Sequence, residues 1–216
     1  MHKFIYIAKL QAGKRPGTGK MHKEKEEREL DLWAKIRMKR ENAQQVKIIT
    51  QKMTKNSLIL DEKLTEDSYA FAINPEKMDL KEEIDTIILE MKQDGTLAKL
   101  EEKWFGDKEE LKELETYDYK YSDTIKFATV SGSAPFAYMK NNEIVGYDID
   151  VINYIGYKLG YKIEIVEMAF EGMIAAIVSG KVDMAGCSII VTEERQKVVL
   201  FSEPNYTGGI VLVVRQ

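Results

Sequence analysis

Residues 125–216 alternate short apolar runs with helical patterns, and this alternation constrains the fold more than any other feature of the chain. Strands are predicted over 125–130 and 163–168, and a helix closed by Gly180 is predicted over 173–179. Strands that alternate with helices build a parallel sheet, and right-handed crossovers place the helices on its faces. The sequence therefore predicts an α/β fold. The other predicted elements of this region are a helix that Asp148 caps, a strand over 182–187, a helix over 193–199 and a strand over 209–214.

A second group of elements, within residues 58–106, has apolar faces that need a partner. An apolar strand is predicted over 69–73. Asp79 and Glu82 have capping-box spacing in front of a helix, and Thr96 is placed to cap a second helix. Apolar residues recur on one side of both helices: Leu80, Ile84, Ile87, Ile88 and Met91 in the first, and Leu97, Leu100 and Trp104 in the second.

Composition shifts divide the chain into four regions. Residues 1–57 are rich in lysine and are predicted to form a basic, helical extension of unknown role. Residues 107–124 are strongly charged and are a linker candidate between the regions 58–106 and 125–216.

Composition and charge also exclude several classes of protein. Apolar residues make up 44% and charged residues 31% of the 216 residues, as in globular domains, and no apolar run approaches the roughly 20 residues that cross a bilayer. The net charge of −4 argues against a nucleic-acid partner. Cys187 is the only cysteine, so no internal disulfide can form. His2 and His22 have no partner at metal-ligand spacing, and neither a metal nor a cofactor is predicted.

The most chemically specific segment runs from Gly186 to Arg195, where a predicted strand passes through a loop into a helix. Ligands of open α/β sheets bind at the carboxyl ends of strands, and helix N-termini attract anions through their unpaired N–H groups. The Arg195 guanidinium adds a planar pair of donors that matches a carboxylate. The alternative is a capped surface helix whose arginine pairs with Glu194 or with solvent.

Several spaced motifs resemble one known family. T-E-E-R at 192–195, followed by F-S-E-P at 201–204, is similar to a pattern of the type 2 solute-binding proteins that deliver amino acids to ABC importers. Upstream, P-F at 135–136 and I-V-G-Y-D-I-D at 144–150 continue the resemblance, and W-F-G at 104–106 resembles the family's closing helix. The resemblance implies a type II periplasmic-binding-protein lobe, whose mainly parallel sheet is flanked by helices and includes an antiparallel hinge strand.

The resemblance also implies a ligand site without catalysis. Arg195 would hold the carboxylate of a polar amino acid, Ser188 would bind its amino or carboxylate group, and Phe170 would form an aromatic wall. For Phe170 the alternative is a place in the core. Relative to the family pattern, Ile190 lacks the usual hydroxyl and Ser133 replaces an aromatic residue. The full set of implied ligand-binding residues is Ser133, Phe170, Gly186, Ser188, Ile190, Thr192 and Arg195.

The family-like pieces stand in reversed order, because the closing segment precedes the opening one. One explanation is a tandem, in which the end of one binding domain is followed by the first lobe of the next. The other, which we favour, is that residues 58–106 dock onto 125–216 and complete a single lobe, because their apolar faces need burial. Most of the second lobe is missing in either case, so ligand binding by this chain is expected to be weak.

The predicted function is an extracytoplasmic solute-binding module for a polar amino acid that feeds an ABC permease. The first alternative is a ligand-sensing domain of a membrane receptor or sensor kinase, and a less favoured one is a dehydratase of the same fold. The apolar patch at 4–8 is too short for a secretion signal, so a signal is expected upstream of this sequence or not at all.

Overall fold

The computed structural model describes residues 57–63, 65–105, 123–209 and 211–215, and gives the backbone alone for 57–63 and 211–215. The chain divides into two compact units, one of Met1–Glu66 with Gly208–Gln216 and one of Asp67–Thr207. Of the predicted extension 1–57 only Ser57 is described, and of the linker 107–124 only Asp123 and Thr124. The predictions for the rest of those two regions therefore lie outside the described residues.

Short strands and mostly short helices alternate along the described residues. The strands are β1 (Ser57–Lys63), β2 (Asp67–Tyr69), β3 (Ala72–Ile73), β4 (Asp123–Thr129), β5 (Gly132–Ser133), β6 (Ala137–Lys140), β7 (Glu143–Val145), β8 (Tyr161–Glu167), β9 (Met184–Ala185), β10 (Leu200–Phe201), β11 (Tyr206–Gly208) and β12 (Val211–Arg215). The helices are α1 (Met78–Gln93), α2 (Thr96–Phe105), α3 (Tyr147–Leu159), α4 (Met173–Val178) and α5 (Glu193–Gln196), with a 3₁₀ turn at Phe170–Gly172 before α4.

The central sheet of the larger unit has the strand order β10-β3-β9-β4-β8. Strand β4 pairs in parallel with β8 along its whole length and with β9 at Phe127 and Ala128. Strand β3 is antiparallel to both of its neighbours, β9 and β10. Four strands therefore run in one direction and β3 runs against them. The predicted α/β fold, with a mainly parallel sheet that contains an antiparallel strand, is confirmed.

Within the larger unit, residues 67–105 form the front segment and residues 123–207 the back segment; the front segment supplies β3, and the back segment supplies both of its neighbours. We call residues 70–74 and their partners in this sheet the junction. Ala72 and Ile73 are fully buried, and their backbones pair with Ala185 and Met184 on one side and with Phe201 and Leu200 on the other. The docking of the front segment onto the sheet of the back segment is thus present in the structure.

Side chains and loop backbone extend the junction beyond the strand pairs. The Phe71 N–H donates to Ser202 Oγ at 3.0 Å, and the Ser202 N–H donates to the Phe71 carbonyl at 3.0 Å. At the other end, Asn74 Nδ2 donates to the Ile177 carbonyl at 2.9 Å. Since Ala70 donates instead to Ile189, at 3.1 Å, the chain changes partners here. The predicted strand 69–73 is therefore broken into β2 and β3.

Helices α1 and α2 pack against α3 and the sheet through the apolar faces that the sequence predicts. Ile84, Ile88 and Met91 of α1 are fully buried, and Trp104 of α2 is 3% exposed. A polar contact fixes α2 on α3, because Trp104 Nε1 donates to Asp150 Oδ2 at 2.7 Å and Lys103 Nζ reaches the same oxygen at 2.8 Å. Asp150 is buried, so the lysine supplies the positive charge that a buried carboxylate needs.

The predicted helix starts are corrected at three places. Helix α1 begins at Met78, and no side chain caps it, so Asp79 lies inside the first turn. Helix α3 begins after Gly146, whose φ is 146°, and Asp148 lies within its first turn. At α2 the cap is Asp94, whose Oδ1 accepts the Thr96 N–H at 2.8 Å. The pattern of residues fits several neighbouring registers, and packing of the apolar face selects one.

Three smaller pairings complete the described strands. Strands β5, β6 and β7 form an antiparallel sheet, and β2 pairs with β11. In the smaller unit β1 pairs antiparallel with β12, with Ser57 opposite Arg215. Among the described helices, none has the length and hydrophobicity that a membrane crossing requires.

Candidate ligand-binding site

The candidate site begins where the chain leaves the carboxyl end of β9, at Gly186. A Cβ atom added there would lie 2.6 Å from Phe71 Cδ1 and 2.6 Å from Phe127 Cζ. The Gly186 N–H donates to the Ala128 carbonyl at 3.1 Å. Gly186 therefore allows two core rings, which meet edge to face with centroids 5.3 Å apart, to pack against the strand end. Its observed contacts are packing contacts.

Ser188 turns the chain away from the sheet in the left-handed region, with a φ of 47°. Residues other than glycine rarely adopt this conformation. The Ser188 N–H donates to Asp148 Oδ2 at 3.0 Å, so this donor is already used within the protein. The predicted ligand contact through the Ser188 backbone N–H therefore competes with an internal hydrogen bond.

Asp148 is 2% exposed and is the partner of Ser188 that the sequence analysis does not identify. Burial raises the pKa of its carboxyl to about 7, and the hydrogen bond from the Ser188 N–H opposes that rise. From the sequence, Asp148 is predicted to be a helix cap, because acidic residues are common at the N-terminal cap position. Its place inside the G-Y-D-I-D run of the family-like motif is the signal that could have suggested another role.

After Ser188 the chain runs extended beside β2. The Ala70 N–H donates to the Ile189 carbonyl at 3.1 Å, and the Val191 N–H donates to the Ser68 carbonyl at 3.0 Å. Ile190 lies between these bonds, in an antiparallel bridge with Tyr69, so its N–H and carbonyl point away from β2. Thr192 is also extended, with φ −135° and ψ 149°.

Arg195 lies on the same side as the Ile190 carbonyl and contacts three other predicted site residues. Its Nη1 donates to the Ile190 carbonyl at 2.8 Å, and its backbone N–H donates to Thr192 Oγ1 at 3.3 Å. Its Cζ lies 5.6 Å from the centroid of the Phe170 ring. We call Phe170, Ile190, Thr192 and Arg195 the Arg195 cluster. All four are half-buried, which leaves each of them partly open to a ligand.

Helix α5 is shorter than predicted, because it ends at Gln196 and the chain then turns toward β10. Thr192 caps it as expected. Four residues align few peptide dipoles, so the helix terminus contributes less to anion binding than a helix over 193–199 would. Attraction for an anion here rests on the guanidinium and on the Ile190 N–H.

Ser133 lies on β5, away from the direct contacts of Arg195. Its hydroxyl lies beside the Cys187 thiol. Burial raises the pKa of that thiol to about 11, and the hydrogen bond with Ser133 opposes the rise. Ser133 therefore adjoins the loop through Cys187 and Ser188. Among the described residues, no group of three or more histidine, cysteine or acidic side chains has the geometry of a metal site.

The family model of bacterial extracellular solute-binding proteins, family 3, matches residues 17–107 and 125–216. The first block begins inside the segment 1–57, which the sequence analysis treats as an extension. The two blocks together cover well over half of the chain, and they leave out most of the linker candidate.

Named relatives match shorter parts of the chain. A probable histidine-binding protein of Campylobacter jejuni is 37% identical over 83 residues, which cover 38% of this chain and 32% of that protein. An arginine-binding extracellular protein of Bacillus subtilis is 35% identical over 82 residues, which cover 38% and 32% respectively. The chain spans about a third of the length of the curated relatives it matches.

Among solved structures, an ancestral arginine-binding protein bound to glutamine is 40% identical, with 38% of this chain and 37% of that chain covered and a TM-score of 0.38. The family match, the α/β sheet and the motifs around 144–150 and 192–204 agree with one another. The chain belongs to the bacterial extracellular solute-binding proteins, family 3.

Proposed function

We propose that this chain provides one lobe of an extracytoplasmic amino-acid-binding module that serves an ABC importer. The proposal is supported by the family match and by relatives that are named for binding histidine and arginine. Those relatives are about three times as long as the part of them that this chain spans, so ligand and permease are proposed from the site.

The observation that carries the proposal is the position of the Arg195 guanidinium, which donates to the Ile190 carbonyl at 2.8 Å in the segment between β9 and α5. A carboxylate has about four acceptor sites and prefers bidentate, charge-assisted donors. A guanidinium has five N–H donors, so it can hold the Ile190 carbonyl and a ligand carboxylate together. The Ile190 N–H points away from β2, and we assign it to the same carboxylate as a further donor.

Phe170 gives this carboxylate site an apolar wall. Its ring lies within cation–π distance of the guanidinium, which fixes both side chains in one orientation. The exposed part of the ring is then available to the aliphatic or polar side chain of an amino acid. We assign the Ser188 hydroxyl to the ligand's amino group, and we place Ser133 and Gly186 beside the site as supports of the loop.

A panel of amino acids tests this function by isothermal titration calorimetry. We expect heats of binding with L-arginine, L-histidine or L-glutamine, and weak affinity, because one lobe buries only part of a ligand. Arg195→Ala should weaken binding by about tenfold to a hundredfold, since a hydrogen bond to a charged group contributes about 1.5–3 kcal/mol.

Lys197→Ala is the matched control for this measurement. Lys197 is an exposed cation just after α5, so its removal changes the net charge equally and leaves the Arg195 cluster intact. Binding that is equal in wild type, Arg195→Ala and Lys197→Ala would contradict the carboxylate assignment. No binding of any member of the panel to the wild-type chain would contradict the function itself.

A further inference from the structure

We infer that Asp148 is a positioning residue of the ligand site, because its buried carboxylate fixes the turn at Ser188 and thereby the direction of the segment 190–195. This inference rests on the proposed function insofar as it concerns ligand affinity. From the sequence, Asp148 is predicted only to lie at a helix start. The hydrogen bond between its carboxylate and Ser188 is visible only in the structure.

Asp148 joins helix α3 to the loop that follows β9. Its helix, α3, begins at the buried residue Tyr147, and Asp148 Oδ2 accepts the Ser188 N–H at 3.0 Å. The Asp148 N–H donates to the Phe136 carbonyl at 3.0 Å, so the residue is also held at its backbone. The carboxyl therefore links the Ser188 turn to the start of α3.

The turn at Ser188 sets the direction of residues 190–195. Ser188 has a φ of 47°, a conformation that a serine keeps only where surrounding contacts hold it. Two residues later Ile190 points its carbonyl at Arg195, and Thr192 then caps α5. If the Ser188 N–H lost its acceptor, the turn would relax toward ordinary backbone angles. The Ile190 carbonyl would then no longer meet the Arg195 guanidinium.

The charge at this place depends on the protonation of Asp148. Two titratable groups face Asp148, the Tyr147 phenol on its own helix and the Cys187 thiol on the loop, and burial raises the pKa of both. Both groups are therefore neutral near pH 7, and Asn205 and Ser188 contribute dipoles only. Protonation of Asp148 itself thus changes the charge at this place, and it weakens the acceptor that Ser188 uses.

The amide resonance of Ser188 reports this contact directly, without any ligand. In the full ¹⁵N-labelled chain we expect its proton shift to titrate between pH 4 and pH 9 with a midpoint near pH 7, and to move downfield as Asp148 ionises. Asp148→Asn should remove this titration. Asp150→Asn is the matched control, since Asp150 is a buried carboxylate of the same helix that accepts hydrogen bonds from Lys103 and Trp104. It should leave the Ser188 titration in place.

Affinity for L-arginine and L-histidine, measured by calorimetry on the same proteins, completes the test. Asp148→Ala should weaken binding about tenfold or more, and Asp150→Asn less than about threefold. A Ser188 shift that does not titrate in the wild type, or that titrates equally in Asp148→Asn, would overturn the inference, as would unchanged affinity in folded Asp148→Ala. Failure of the proposed function reads differently, because no amino acid would bind to the wild type while the Ser188 shift still titrates.

Discussion

The junction and the Arg195 cluster both join distant parts of the sequence, but they use their polar groups in opposite ways. At the junction, Phe71, Ala72 and Ile73 are at most 1% exposed, and backbone donors such as Phe71 N–H and Asn74 N–H have partners inside the protein. In the Arg195 cluster every member is half-buried, and Ile190 turns its N–H and carbonyl away from β2. We therefore assign stability to the junction and propose ligand binding at the cluster.

This contrast has a physical reason. A buried donor without an acceptor costs about 1–3 kcal/mol, so it persists only where water or a ligand can reach it. After β9, the extended segment 189–192 leaves such a donor accessible. Ile189 and Val191 direct their backbone groups to β2 and its neighbours, and Ile190 directs its N–H and carbonyl away from β2. Four substitutions test this division between junction and cluster, and their expected effects on stability decrease in the order Phe71→Ala, Asp148→Asn, Gly186→Ala and Arg195→Ala.

Phe71→Ala should produce the largest loss of stability. Phe71 is 1% exposed and packs edge to face on Phe127, so its removal leaves a cavity and should cost about 3–5 kcal/mol. Chemical denaturation monitored by circular dichroism measures the loss. Phe170→Ala is the control, because this half-buried ring belongs to the Arg195 cluster, and its stability loss should be smaller. Equal losses for the two variants would contradict the division.

Asp148→Asn should change how stability depends on pH. The folded-state pKa of Asp148 is raised to about 7 from 3.8, so between those values the folded chain holds a proton that the unfolded chain has lost. Wild-type stability from this group is therefore complete below about pH 4 and falls as pH rises to about 7, by at most about 1.4 kcal/mol per pH unit.

The Asp148→Asn protein should lack this contribution. Denaturation of both proteins at pH 4.5, 6, 7 and 8 measures the difference in their free energies of unfolding. This difference should shift in favour of the variant as pH rises to 7 and then stay constant. A difference that is the same at every pH would show that Asp148 does not titrate in this range.

Gly186→Ala should destabilise the fold by about 1–3 kcal/mol, because the added methyl group meets the rings of Phe71 and Phe127 at 2.6 Å. Thermal and chemical denaturation measure the effect. Gly172→Ala is the matched control, since a Cβ there meets nothing within 4 Å and its φ is −87°. The control should change stability by less than about 0.5 kcal/mol. A neutral Gly186→Ala would mean that the two rings pack less tightly on the strand end.

Arg195→Ala should have the smallest effect on stability, about 1 kcal/mol or less, because its hydrogen bond to Ile190 and its contact with Phe170 are both half-exposed. Denaturation measures this effect beside the calorimetric loss of affinity. A stability loss as large as that of Phe71→Ala would place Arg195 in the structural core and contradict its assignment to ligand binding.

The sequence predicts the parts of this fold that depend on apolar periodicity. Alternating strand and helix patterns over 125–216 correctly predict the sheet, and the unpaired apolar faces of α1 and α2 correctly predict docking of the front segment. Burial of apolar area is additive along a pattern, so such predictions tolerate errors of a few residues. The division of the chain at 57, 106 and 124 is still a prediction.

Features that depend on single polar contacts could not be predicted in this way. The break between β2 and β3 follows from a change of hydrogen-bond partner at Ala70 and Phe71, which no local pattern encodes. Asp148 fits a helix cap in sequence, and its role with Ser188 arises from residues 40 positions apart. The role of Arg195 in ligand binding is still a prediction from its motif, whereas the direction of the Ile190 N–H and carbonyl became visible only through the bridge between Tyr69 and Ile190.

Calorimetry with L-histidine and with histamine, which lacks the carboxylate, tests the carboxylate assignment most directly. The wild-type chain should bind L-histidine at least about tenfold more tightly than histamine, because the guanidinium and the Ile190 N–H lose their acceptor. L-arginine and agmatine provide the same comparison for a second side chain. In Arg195→Ala the preference for each amino acid over its amine should largely disappear. Equal binding of acid and amine by the wild type would contradict the account.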